Sequence, residues 1–141
     1  MPLITRRRMK LNAIIAGVGM TRFGKHLDRN LKSLGREAIE LALKDAELEG
    51  SAIQAAYMSN AAAGPITGQE MIRGQVVLYA MGLGKIPVVN IENACASAST
   101  GVRGSTPAPT SSVSVLRAYC APLPRACLVN IATDWGGERV Q

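Results

Sequence analysis

The sequence predicts an α/β domain, a parallel or mixed sheet with crossover helices, followed by an irregular C-terminal tail. Three observations carry that expectation. Up to about residue 100, short apolar runs alternate with segments of helical period. Hydrophobic residues make up 48% of the 141 residues, which allows one core and one ordinary domain. After Thr100 the periodicity lapses, and residues 101–141 hold Pro107, Pro109, Pro122 and Pro124, four of the seven prolines.

The first element is expected to be a strand over 12–18, Asn12-Ala13-Ile14-Ile15-Ala16-Gly17-Val18, an apolar run ended by glycine. Gly17, Gly19 and Gly24 then read as punctuation of a loop. A helix is predicted from about Asn30 to Glu47, capped by Asp28 or Asn30. Leu31, Leu34, Ala38, Leu41 and Ala42 form its apolar face, Gly35 interrupts it, and Glu40 to Lys44 is a favourable i,i+4 pair. Residues 55–59 read as a second strand and 60–69 as a loop. Glu70 to Met81 is predicted helical through Met71, Val77, Leu78 and Met81, ending at Gly82 and Gly84. A third strand over 86–91 has Pro87 near its start, where proline is tolerated. The small residues from Cys95 to Thr100 should open a closely packed helix.

The charge balance is 16 Lys+Arg against 10 Asp+Glu, a net +6. Arg6, Arg7, Arg8 and Lys10 account for four of the positives, so the body of the chain is nearly neutral. These residues form a short basic leader over 1–10, without an apolar signal region, and Met9 offers a second start. Aromatic content of 4% leaves few platforms for base stacking, so a nucleic-acid partner is not expected. No apolar run approaches the roughly 20 residues of a membrane span. Three cysteines are too few for a disulfide scaffold, and a reducing, cytoplasmic setting fits.

In a sheet of this kind, functional residues sit where strands end and helices begin. Two segments qualify, 19–26 and 92–97. The first, Gly19-x-x-x-x-Gly24-Lys25-His26, is a near miss for a phosphate-binding P-loop. His26 stands where the magnesium-binding hydroxyl belongs, and the helix begins several residues late. His26 is also the only histidine, which argues against a zinc site; no metal site is expected. The second segment, Glu92-Asn93-Ala94-Cys95-Ala96-Ser97-Ala98-Ser99, puts a cysteine at a helix N-terminus, where dipole and free amides favour thiolate. The same amides can stabilise an oxyanion. A small cysteine chosen for packing fits that placement equally well.

The motifs from about Lys10 to Thr100 resemble the thiolase superfamily, in particular its sterol-carrier-protein-x and lipid-transfer type. They comprise Ala16-Gly17-Val18-Gly19-Met20-Thr21-Arg22-Phe23-Gly24-Lys25, Asn60-Ala61-Ala62-Ala63-Gly64, Gly68-Gln69, and the run from Pro87 through Cys95 to Ser99. The resemblance implies an incomplete thiolase-like N-terminal domain over 11–100. It implies that Cys95 is the catalytic nucleophile, attacking an acyl-CoA thioester to form an acyl-enzyme. Coenzyme A thioester is then substrate and no cofactor is needed. Intact members form homo-oligomers, and 64–69 looks like the segment they bring to a partner. Some members are retro-aldolases or structural partners instead.

The chain departs from the family in carrying no second half with its glycine–histidine–proline motif. Cys120 and Cys127 match no motif. Thiolase-type chemistry needs a base beside the nucleophile, so the chain alone is expected to be inactive. Ser105-Thr106-Pro107-Ala108-Pro109-Thr110-Ser111 can be encoded by bases that, shifted by one, read Val-Asp-Ser-Gly-Ala-Tyr-Glu, the turn that relatives carry there. A frameshifted or degraded gene is the leading explanation of the tail over 101–141, and a genuine short protein with a divergent tail is the other. The tail is expected to be poorly ordered and unable to complete the sheet. The functional alternatives are a non-catalytic, partner-binding module and, behind it, a degenerate P-loop nucleotide binder.

Overall fold

The computed structural model describes residues 13–68, 71–105, 113–120 and 127–134. The basic leader, Gln69, Glu70 and most of the segment 105–112 lie outside the described residues. The element order is β1 (Ala13–Met20), α1 (Leu31–Asp45), β2 (Ala55–Ser59), α2 (Ala63–Thr67), α3 (Arg73–Tyr79), β3 (Val88–Ile91), α4 (Ser97–Gly104), β4 (Val113–Cys120) and β5 (Cys127–Asp134). The fold is the expected mixed α/β arrangement. The strands form one sheet in the order β1-β4-β5-β2-β3. β1 pairs with β4 in parallel and β2 with β3 in parallel, while β5 runs antiparallel to both β4 and β2.

Two strands of that sheet come from the tail, against the expectation that residues 101–141 cannot complete it. Val113–Cys120 and Cys127–Asp134 each hold a β-branched or apolar run, Val113-Ser114-Val115-Leu116 and Leu128-Val129-Asn130-Ile131. In the sequence the prolines at 107, 109, 122 and 124 fall outside those runs.

α1 begins where Asn30 caps it, its side chain accepting from the Ser33 amide at 2.9 Å. Its buried face is Leu31, Leu34, Ala38, Ile39 and Ala42. Leu41, assigned to that face from spacing, is 42% exposed, and Ile39 occupies the core instead. Glu40 pairs with Arg36 at 2.6 Å and not with Lys44, since the longer guanidinium fork reaches the same carboxylate from the preceding turn.

α1 crosses β1 and β4 and also packs on α3. Gly17 and Gly19 belong to β1, not to a loop. A Cβ at Gly17 would lie 2.6 Å from the Ala42 carbonyl oxygen, and one at Gly19 would overlap the Ala38 carbonyl. The glycines let a helix backbone lie directly on the strand. The strand continues through them to Met20, so the near P-loop has no loop glycine at its first position.

Ala56 and Met58 join the α1 and α3 side chains in the core, with Ile53, Val77 and Leu78. α4 covers the opposite face, where a Cβ at Gly104 would sit 3.5 Å from the Tyr57 ring. The predicted loop over 60–69 contains the short helix α2, and the predicted helix over 70–81 is the shorter α3, preceded by an exposed Met71. Among the described residues no helix is long and apolar enough to cross a membrane.

Candidate active site

β2 and β3 are parallel neighbours, so their carboxyl ends lie side by side. Asn60 follows β2 and donates its amide to the Ile91 carbonyl at 3.1 Å. Its side-chain oxygen accepts from the amides of Ala62 (3.1 Å) and Ala63 (2.7 Å), which turns the chain into α2. Glu92 follows β3. Between these ends lies a half-open cavity of about 140 Å³, with Met58, Asn60, Arg73, Asn90 and Glu92 among its lining residues.

The cavity wall is a polar network. Arg73, the first residue of α3, is 8% exposed, and its Nη1 donates to the Asn60 carbonyl and to Glu92 Oε2 at 3.1 Å. Asn90 accepts from the Gly74 amide at 2.7 Å and donates to Gln75 Oε1 at 2.7 Å. A Cβ at Gly74 would meet Val88 Cγ1 at 2.6 Å, so a glycine here lets the first turn of α3 reach the strands.

Cys95 is exposed, a free thiol in a 3-10 turn, Ala94–Ala96, that leads directly into α4. Ala94 precedes it at φ 43°, a left-handed conformation that a residue with a Cβ seldom adopts. Side-chain hydrogen bonds help to hold this turn. The Asn93 amide donates to Ser97 Oγ (2.8 Å), Ser97 Oγ donates to the Ala94 carbonyl (2.8 Å), and Asn93 Nδ2 donates to Thr100 Oγ1 (3.0 Å). Cys95 lies three residues past Glu92 and is not among the residues lining the cavity.

The two segments singled out from sequence are not brought together. β1 and β3 are opposite edges of the sheet, four strand steps apart, roughly 19 Å at the usual spacing. His26, after β1, has its Nε2 2.9 Å from the Arg22 carbonyl oxygen, within its own loop. Among the described residues no three metal-ligating side chains gather. Arg73, Asn60 and Asn90 were not legible as a cluster, because 13 to 17 residues separate Asn60 and Asn90 from Arg73.

Residues 13–108, which include this strand–turn–helix unit, match the family described as thiolase, N-terminal domain. The chain belongs to the thiolase family. An acetyl-CoA acetyltransferase of Methanocaldococcus jannaschii is 39% identical over 89 residues, 63% of this chain and 22% of the relative. The benzoylsuccinyl-CoA thiolase subunit BbsB of Thauera aromatica is 34% identical over 97 residues, 67% of this chain and 23% of the relative. A sterol carrier protein 2 of Gallus gallus is 31% identical over 96 residues, 67% of this chain and 17% of the relative. The thiolase-family chain thus spans about a fifth of the length of the curated relatives it matches.

Proposed function

We propose that this thiolase-family chain carries acyl-CoA thioester chemistry through Cys95. The observation that carries the reading is an exposed thiol after a left-handed Ala94, at the junction of β3 and α4, inside the residues that match the family. The Cys95 thiolate attacks the thioester carbonyl, the carbon–sulfur bond to coenzyme A breaks, and coenzyme A leaves as a thiolate that takes up a proton. Backbone amides opening α4 stabilise the oxyanion in between. No cofactor is required beyond the coenzyme A of the substrate. A reducing compartment, the cytoplasm, suits a nucleophile that must stay a free thiol.

The 141-residue chain by itself accepts one acyl group and does not turn over. Making or breaking the carbon–carbon bond needs a base at the α-carbon of an acyl-CoA, and His26 follows the far edge strand. Incubation with acetyl-CoA followed by peptide mass spectrometry tests the first step. Acetylation at Cys95 supports it, and preferential labelling of Cys120 or Cys127 overturns it. Cleavage of a 3-ketoacyl-CoA at the rate of an intact thiolase, lost in Cys95→Ala, overturns the single-turnover claim.

A second reading, a non-catalytic partner-binding module, is favoured by the face of β1 away from α1. Val18 is 58% and Met20 51% exposed there. Self-association belongs with this reading, as a homo-oligomer. Co-expression with a separate C-terminal thiolase half distinguishes the readings: restored turnover favours the enzyme, and association without turnover favours the module.

A further inference from the structure

Arg73 occupies a position that the stability of α3 does not call for. A cation on the first residue of a helix opposes the helix dipole, and this one is also buried. The first turn of α3 holds no acidic residue to offset it. It donates to two groups on the strand ends, the Asn60 carbonyl after β2 and the Glu92 carboxylate after β3.

Glu92 is the upstream anchor of the turn that presents Cys95. Downstream, Asn93 and Ala94 are tied to α4 through Ser97 and Thr100. Upstream, Glu92 is tied to α3 through Arg73, and Asn90, two residues earlier, is tied to the same helix turn through Gly74 and Gln75. A left-handed alanine persists only when its surroundings hold it from several directions. The Arg73–Glu92 link is one of those directions.

We propose that Arg73 is a positioning residue for Cys95. Its guanidinium fixes the Asn60 and Glu92 strand ends relative to each other and so sets where the Ala94–Cys95 turn holds the thiol. The inference rests on the reading of Cys95 as acyl acceptor. Its consequence is kinetic, because small displacements of a nucleophile cost large factors in rate.

The test uses the full 141-residue chain and its Arg73→Met, Arg73→Lys and Glu92→Ala variants. Each is reacted with acetyl-CoA and, separately, with iodoacetamide, and the rate at Cys95 is read by peptide mass spectrometry. Iodoacetamide reports exposure of the thiol; acetyl-CoA also requires its placement. The ratio of the two rates is expected to fall about tenfold or more in Arg73→Met and several-fold in Glu92→Ala, with partial recovery in Arg73→Lys. The Arg73→Met/Glu92→Ala double variant is expected to match Arg73→Met alone, since Arg73→Met already removes the link that Glu92→Ala removes. A wild-type ratio in Glu92→Ala, with unchanged circular dichroism, overturns the proposal, and does so even if Arg73→Met fails to fold. Wild-type acetylation at a cysteine other than Cys95 removes instead the reading on which the proposal rests.

Discussion

Gly19 of β1 lies directly beneath Ala38 of α1, close enough that a Cβ on the glycine would overlap the alanine carbonyl oxygen. The contact joins residues 19 positions apart and brings helix backbone onto strand backbone. Gly19→Ala is therefore expected to destabilise the chain by about 3 kcal/mol, because α1 must lift off the sheet. Gly24→Ala is the control. A Cβ there meets only His26 Nε2 at 3.9 Å, and the change should stay within about 0.5 kcal/mol. Urea unfolding of both variants checks the contrast.

The N-terminus of α1 offers a second contrast. Asn30 accepts from the Ser33 amide, and Ser33 Oγ donates back to the Asn30 carbonyl at 3.0 Å. Asn30→Ala should cost about 1 kcal/mol, while Asp28→Ala should cost little. Equal losses in the two variants would show that Asn30 is not the cap.

Ala94 carries backbone strain beside the thiol. Ala94→Gly is expected to raise stability by up to about 1 kcal/mol, since glycine adopts φ 43° without a steric cost. Ala94→Val should lower it by about 1 to 2 kcal/mol, because a β-branched residue tolerates that conformation least. Thermal unfolding of the pair reads both signs, and destabilisation by glycine would contradict the strained geometry.

Ser97 ties the same turn together with its hydroxyl, accepting from Asn93 and donating to Ala94. It is 6% exposed, so Ser97→Ala leaves the Asn93 amide without that partner and should cost about 1 to 3 kcal/mol. Ser99, exposed on the same helix, should tolerate alanine within about 0.5 kcal/mol. Hydrogen exchange at the Asn93 amide should rise in Ser97→Ala and stay unchanged in Ser99→Ala.

α4 shows why one element was hard to read. Its buried positions are Ser97, Gly101 and, at its C-cap, Ser105, at four-residue steps. The helical period is present, but small polar residues and glycine carry it, so hydrophobic patterning does not reveal it. Leu41 is the converse case. It has the right spacing for the core face yet stays exposed, because the position of β1 beneath α1 decides which side is covered.

The residues alone determined the alternation of strands and helices up to about residue 100 apart from α2, a start of α1 at Asp28 or Asn30, the bounds of β2, and the strand–cysteine–helix motif by which the family is recognised. These features lie within one turn or one strand, where periodicity and backbone preference act between near neighbours. Only the tertiary structure decided that Gly17 and Gly19 are packing positions, that Val113–Cys120 and Cys127–Asp134 enter the sheet between β1 and β2, and that the strands leading to His26 and Cys95 are opposite edges of the sheet. It alone joined Arg73 to Asn60 and Glu92, across separations of 13 and 19 residues. Such contacts depend on which strands become neighbours and how closely the helices lie on them. That is set by the packing of the whole core, and no local stretch of sequence encodes it.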